Sequence, residues 1–102
     1  MEKRVTIGST VTFLDDRRKP HNALVVCVFG DERGHVSDWN EETEQYEQMP
    51  VDPPVWPALN VVYVSGDPSK DDQYGRQIER DCSVVHLSVN PAGGNCWKFL
   101  DE

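Results

Sequence analysis

The 102-residue chain is poor in basic side chains and has no paired cysteines. Ten Lys and Arg stand against 18 Asp and Glu, which gives a net charge of −8. Duplex nucleic acid and anionic membranes attract clustered Lys and Arg, so neither is expected as a partner. Cys27, Cys82 and Cys96 form no Cys-x-x-Cys pair. We therefore expect neither a disulfide framework nor a metal site. Cys27 and Cys82 fall within predicted strands, so we expect their thiols to be buried.

Long apolar runs and the common catalytic motifs are also missing. No segment approaches the roughly 18 apolar residues of a membrane span, and the N-terminal residues lack the apolar core of a signal peptide. These features predict a cytoplasmic protein. The glycines lack the spacing of a phosphate-binding loop or a dinucleotide fingerprint, and no serine stands in a Gly-x-Ser-x-Gly turn. We expect a binding protein without a cofactor rather than an enzyme.

Proline and glycine are frequent for so short a chain, at seven residues each, and favour short strands joined by turns. Residues 8–14 alternate apolar and polar side chains, as a half-buried strand does, and residues 23–29 and 59–65 are apolar runs of strand length. A short final strand is predicted over residues 96–100. The length suits a single domain over residues 1–102.

One long stretch, residues 31–57, interrupts this pattern. Residues 31–52 carry eight acidic residues against Arg33 alone, and four prolines follow within residues 50–57. A short helical turn is predicted over residues 39–48, capped by an Asp or Asn. Two interpretations stay open. The segment is an ordered insertion that covers the barrel, or it is a mobile acidic lid over a ligand or partner. In the first interpretation, the barrel is covered by the side chains of Trp39, Tyr46, Val55 and Trp56.

Four groups of apolar and glycine positions follow one another along the predicted strands. They are Gly8 and Val11, then Ala23, Val25 and Val28, then Val61 and Tyr63, then Val85 to Leu87. Their order resembles the layout of tudor and SH3-like barrels. The resemblance implies a mostly-β fold, a small antiparallel barrel of about five strands with a long acidic, proline-rich insertion, and a short helical turn before the last strand. In tudor-like domains an aromatic cage binds methylated side chains by cation–π contact. Short, acidic, compact proteins of bacteriophages are also similar in composition.

The polar strand predicted over residues 76–82 is the most informative segment for function. Alternation places Arg76 and Arg80 on the face of Ile78, its one clear core residue, and residues 83–87 follow as a 3₁₀ turn or as a continuation of the strand. A solvated edge strand with salt bridges is one interpretation. The functional one is a ligand site, because guanidinium groups bind phosphate or carboxylate bidentately and an aromatic ring can stack on a base. Its candidate residues are Tyr74, Arg76, Gln77, Arg80 and His86.

Two functions therefore compete. The first is sequestration of an anionic, nucleotide-like signalling molecule by a small binding protein, as an anti-defence protein of a phage would do in the host cytoplasm. The second is a protein-interaction module or inhibitor that presents the acidic residues 31–52 to a basic protein, as a nucleic-acid mimic or a phage structural component. The oligomeric state is left open, and a homo-oligomer would allow a site between subunits.

Overall fold

A computed structural model describes residues 3–102, which fold around a closed β-barrel. Five of its nine strands form the barrel in the order β1-β2-β5-β8-β9, and the other four make two separate hairpins. A single turn of 3₁₀ helix, Pro68–Lys70, precedes β6. The strands are β1 (Thr10–Leu14), β2 (Pro20–Phe29), β3 (Val36–Asn40), β4 (Gln45–Met49), β5 (Ala58–Val64), β6 (Asp71–Asp72), β7 (Gly75–Arg76), β8 (Ile78–His86) and β9 (Cys96–Lys98).

The prediction of a mostly-β fold with a small barrel of about five strands is confirmed. One pair departs from the expected antiparallel arrangement, because β8 and β9 run parallel. The reason is the odd number of strands. A ring of five cannot alternate direction at every step, so at least one neighbouring pair has to be parallel. Nine residues between β8 and β9 provide the return, and β9 then pairs antiparallel with β1.

The barrel core is apolar and includes the whole side chain of Trp97. Its indole Nε1 donates a hydrogen bond to the backbone oxygen of Pro57 over 3.0 Å, so the buried N–H group is satisfied. The inward positions of β1, β2 and β5 follow the alternation read from the sequence. The buried cluster consists of Val5, Val11, Phe13, Ala23, Val25, Leu59, Val61, Val84 and Trp97.

Strand β8 keeps the predicted alternation from Ile78 to Cys82, but the face assigned to the core is the one that lies outward. Ile78 is 63% exposed and Cys82 is exposed, so the assignment of these two residues to the core is wrong. The inward positions at this end of β8 belong instead to Glu79 and Asp81, both half-buried. A bulge between β5 and β8 then shifts the register, and Val84 is buried beyond it. Residues 83–86 continue β8, which agrees with one of the two expected alternatives.

The acidic insertion forms an ordered β-hairpin, here called the arm (residues 36–49), instead of the predicted helical turn. Trp39 and Tyr46 pair directly across it, and their side chains are 49% and 71% exposed. They therefore do not cover the barrel, and neither does the exposed Val55. Only Trp56 does so among the four expected residues. Its ring packs against Phe99 with 4.8 Å between centroids.

The arm gives the described chain an elongated shape. The principal extents are 61 × 27 × 24 Å and the radius of gyration is 16.1 Å, against about 13 Å for a compact chain of this length. Each arm strand of five residues spans roughly 17 Å, so the arm adds length without adding to the core. Over residues 3–102, no helix has the length and apolar character needed to cross a membrane.

Candidate functional site

Three of the predicted ligand-binding residues lie in or beside the small β6–β7 hairpin. Tyr74 is at its tip with its ring almost fully exposed, and Gln77 follows β7 with an exposed side chain. Arg76 is already engaged: its Nε pairs with Asp71, and one terminal nitrogen donates to the backbone oxygen of Ser65 over 2.9 Å. The ion pair raises the pKa of Arg76. The guanidinium of Arg76 therefore links the β6–β7 hairpin to the end of β5.

The other two predicted residues lie elsewhere on the barrel. Arg80 points outward from β8, whereas His86 points into the core six residues further along the strand, a distance of about 20 Å. Both ring nitrogens of His86 have partners, with Nδ1 2.9 Å from Ser88 Oγ and Nε2 3.0 Å from Glu102 Oε1. The structure thus brings Tyr74, Arg76 and Gln77 near one another and separates them from His86.

A cleft of about 570 Å³, here called the end cleft, opens at the end of the barrel where β1 turns into β2. His21 and Asp15 form its base. His21 Nε2 lies 2.9 Å from Asp15 Oδ2, and both side chains are largely buried. The sequence indicates this pair only by the spacing of an acidic residue and a histidine, six positions apart, around a predicted turn. The cleft is lined by Asp15, Asp16, Arg17, Lys19, His21, Tyr63, Ser65, Gly66, Asp67, Pro68 and Glu79.

The electrostatics of the end cleft are negative. Four carboxylates line it against one Arg and one Lys. Burial, together with the nearby charge and hydrogen bond of Glu79, raises the pKa of Tyr63 to about 12. Glu79 is itself paired with Lys70, which lowers its pKa. An anionic ligand would meet net repulsion here, and Asp15, Asp67 and Glu79 already have partners within the protein.

The arm carries exposed aromatic rings on one face and opposed carboxylates on the other. On one face the rings of Trp39 and Tyr46 meet edge to face with 5.0 Å between centroids. On the other face Asp38 and Glu47 are directly opposite each other. Like charges in that position destabilise a sheet, and a two-stranded hairpin alone is marginally stable in water. Exposed aromatic rings and unneutralised carboxylates therefore stand together on a projecting element.

Comparison of the chain with protein-family models, with curated proteins and with solved structures finds no match in any of the three. The functional interpretation therefore depends on the geometry described above. Within residues 3–102, no group of three or more His, Cys, Asp or Glu side chains is arranged to hold a metal ion. Of the surfaces that remain, the arm combines exposed aromatic rings with the most concentrated acidic charge of the sequence.

Proposed function

We propose that this chain is a protein-interaction module that uses the arm to bind another protein. The observation that carries the proposal is the pair of exposed rings of Trp39 and Tyr46, held edge to face on a hairpin that projects from the barrel. Tyr and Trp are enriched at the energetic centres of protein interfaces. Exposed rings on a projecting element gain free energy when a partner buries them.

The charge of the arm defines the chemistry of the partner. Residues 31–52 hold eight of the 18 acidic residues, with Arg33 as their one base. Glu41 and Glu44 lie in the turn that joins the two arm strands, each two positions along the chain from Trp39 or Tyr46, so carboxylates stand at the tip of the arm. A partner surface that combines apolar area with Arg or Lys would cover the rings and neutralise the carboxylates of the arm. Arginine suits this role best, because it both pairs with carboxylates and stacks on aromatic rings.

Sequestration of an anionic nucleotide-like ligand has less support. Arg76 is occupied by Asp71 and a backbone oxygen, and His86 is buried with both nitrogens bonded. The end cleft, which has the size of a small-molecule site, is lined by more acidic than basic side chains. A ligand phosphate would have to displace the ion pair between Arg76 and Asp71, or overcome the repulsion of the carboxylates in the end cleft.

The test uses two synthetic peptides of equal length, one alternating Arg and Leu and the other alternating Glu and Leu. Binding is followed by NMR shifts of the arm amides and by the fluorescence of Trp39. We expect only the Arg–Leu peptide to bind, with affinity falling as salt is added. Trp39→Ala should weaken binding by about tenfold or more, as loss of an interface anchor does.

Matched charge variants distinguish the contribution of the arm carboxylates to peptide binding from that of carboxylates elsewhere on the chain. Glu41→Gln with Glu44→Gln removes two carboxylates from the arm. Asp16→Asn with Asp72→Asn, here called the barrel pair, removes one from the β1–β2 turn and one from the β6–β7 hairpin. The arm pair should weaken peptide binding by roughly three- to tenfold, and the barrel pair should leave it unchanged. Equal effects of the two pairs, or equal binding of the Glu–Leu peptide, would overturn the proposal.

A further inference from the structure

The outward surface of the barrel carries an exposed apolar patch across strands β2, β5 and β8. Leu24 pairs with Val62 and Val62 with Arg80, so these three side chains lie in one row; Val64 and Ile78 form the adjacent pair. Directly opposed residues of neighbouring strands share a face at about 5 Å. Val64 is 54% exposed and Ile78 is 63% exposed. The patch, here called the outer face, consists of Leu24, Val26, Val62, Val64, Ile78 and Arg80.

Arg80 is the one charged member of the outer face, and its guanidinium forms no hydrogen bond or ion pair with any side chain or backbone group of residues 3–102. The other arginine of this segment, Arg76, is held by Asp71. An unpaired guanidinium amid exposed aliphatic side chains has the composition of an interface centre, where Arg is enriched and other charges are depleted. It requires an acidic and apolar complement.

We propose that the outer face of one molecule binds the arm of a second copy of this chain. The proposal rests on the function proposed for the arm and names its partner. The arm presents the aromatic rings and carboxylates that the outer face lacks, and the outer face presents the aliphatic area and guanidinium that the arm lacks. Trp39 or Tyr46 would cover the aliphatic row and stack on Arg80, while Glu41 or Glu44 pairs with the guanidinium.

The charges also decide which symmetry the contact has. Two outer faces packed about a two-fold axis at Arg80 would bring two guanidinium groups together, and two arms would bring their carboxylates together. Either contact between like charges is unfavourable. Arm against outer face is heterologous, because each copy contributes a different surface. Heterologous contacts lead to closed rings or to open chains of subunits, so self-association should continue beyond a dimer as the concentration rises.

Sedimentation velocity over a concentration series tests the proposal on the intact chain. We expect concentration-dependent association with a Kd tighter than about 1 mM. Arg80→Glu should weaken it by roughly 30-fold or more, as the loss of a buried charge pair does. Arg17→Glu, the same charge reversal at the rim of the end cleft, is the matched control and should leave association unchanged. Equal effects of the two reversals would contradict a specific contact.

A mixing experiment distinguishes the heterologous contact from a two-fold one. Arg80→Glu keeps a functional arm and Trp39→Ala keeps a functional outer face, so each alone should be monomeric and their mixture should form a one-to-one dimer. Failure of the mixture to associate overturns the proposal. Cys82, the exposed thiol that follows Arg80 on β8, reports on the same face without a mutation. Its rate of reaction with a thiol reagent should fall as wild-type protein is concentrated.

Failure of this inference can be distinguished from failure of the proposed function. If the wild-type chain stays monomeric while the Arg–Leu peptide binds the arm, the partner is a different protein and only the inference fails. If the chain is monomeric and the peptide does not bind, both fail. If folding of Arg80→Glu is in doubt, Arg80→Gln keeps a polar side chain of similar size and should also reduce association.

Discussion

The backbone N–H of Ser83 donates a hydrogen bond to the side-chain oxygen of Asn60 over 2.9 Å, across the bulge between β5 and β8. Ser83 lies there with φ of 55°, in the left-handed region. Below the bulge Glu79 and Asp81 point inward, and above it Val84 does. The bulge therefore decides which side chains of β8 reach solvent. It is the reason that Arg80 belongs to the outer face.

Substitutions at Ser83 test the importance of this bulge. A β-branched side chain is strained at positive φ and glycine is not, so Ser83→Val should lower the free energy of unfolding by about 1–3 kcal/mol. Ser83→Gly should leave it within about 1 kcal/mol of the wild type. Urea unfolding of both variants measures the difference. Equal stability of the valine and glycine variants would show that the backbone is not fixed in the left-handed region.

The sequence predicts those strands whose side chains alternate without interruption. Val11 and Phe13 in β1, and Val61 in β5, are buried as their spacing indicates. Ile78 was misplaced because a bulge leaves no signature in the spacing of polar residues. The arm was predicted as a helical turn because Asp38 and Asn40 suit helix caps. Its cross-strand register depends on pairings, such as Trp39 with Tyr46, that composition does not encode.

The candidate site was predictable only in part. The concentration of acidic charge in residues 31–52 is a property of the sequence, and so is the unusual polarity of β8. Among residues 3–102, Arg76 has an ion-pair partner and Arg80 has none, and this difference follows from the local hairpin and the sheet register. Two arginines four residues apart therefore differ in availability for reasons that only the folded chain contains.

The turn between β1 and β2 should make stability depend on pH through Asp15. Burial by itself raises the pKa of Asp15, but the hydrogen bonds from His21 and from the backbone N–H groups of Lys19 and Arg17 outweigh it, so the pKa lies below its ordinary value. The ionised carboxylate therefore stabilises the fold above an unfolded-state pKa of about 3.9, and this stabilisation is lost as the pH falls through the lower folded-state pKa.

Asp15→Ala should accordingly lower the free energy of unfolding by about 1–3 kcal/mol at neutral pH. The difference from wild type should shrink as the pH is brought below about 4, where the wild-type carboxyl begins to protonate on unfolding. Thermal unfolding across a pH series measures it, with Asp16→Ala as the control at the exposed neighbouring carboxylate. A difference that stays constant from acid to neutral pH would contradict the assigned role of Asp15.

The loop before β9 packs on the same turn so closely that Gly94 has no room for a side chain. A Cβ atom at Gly94 would lie 2.3 Å from the backbone oxygen of Asp15 and 2.8 Å from the Cα atom of Asp16. Gly94→Ala should therefore force backbone movement and cost about 1–3 kcal/mol. At Gly66 the nearest atom to such a Cβ is Cε1 of the His21 ring, at 3.2 Å. Gly66→Ala should cost less, and chemical denaturation of both variants ranks them.

The opposed carboxylates of Asp38 and Glu47 should make the arm less stable than the barrel. Asp38→Lys replaces the like-charged pair by an oppositely charged one, keeps the hydrogen bonds that Glu47 accepts from Asn40 and Thr43, and should stabilise the arm by about 0.2–1 kcal/mol. Amide hydrogen exchange of the arm should slow accordingly, while the barrel amides keep their wild-type rates, since within residues 3–102 the arm strands pair only with each other. Asp38→Asn, which removes the repulsion without adding attraction, should give an intermediate result. The same Lys variant should bind the Arg–Leu peptide more weakly, so a variant with a more stable arm that also binds more tightly would refute the view that arm carboxylates are retained for a partner.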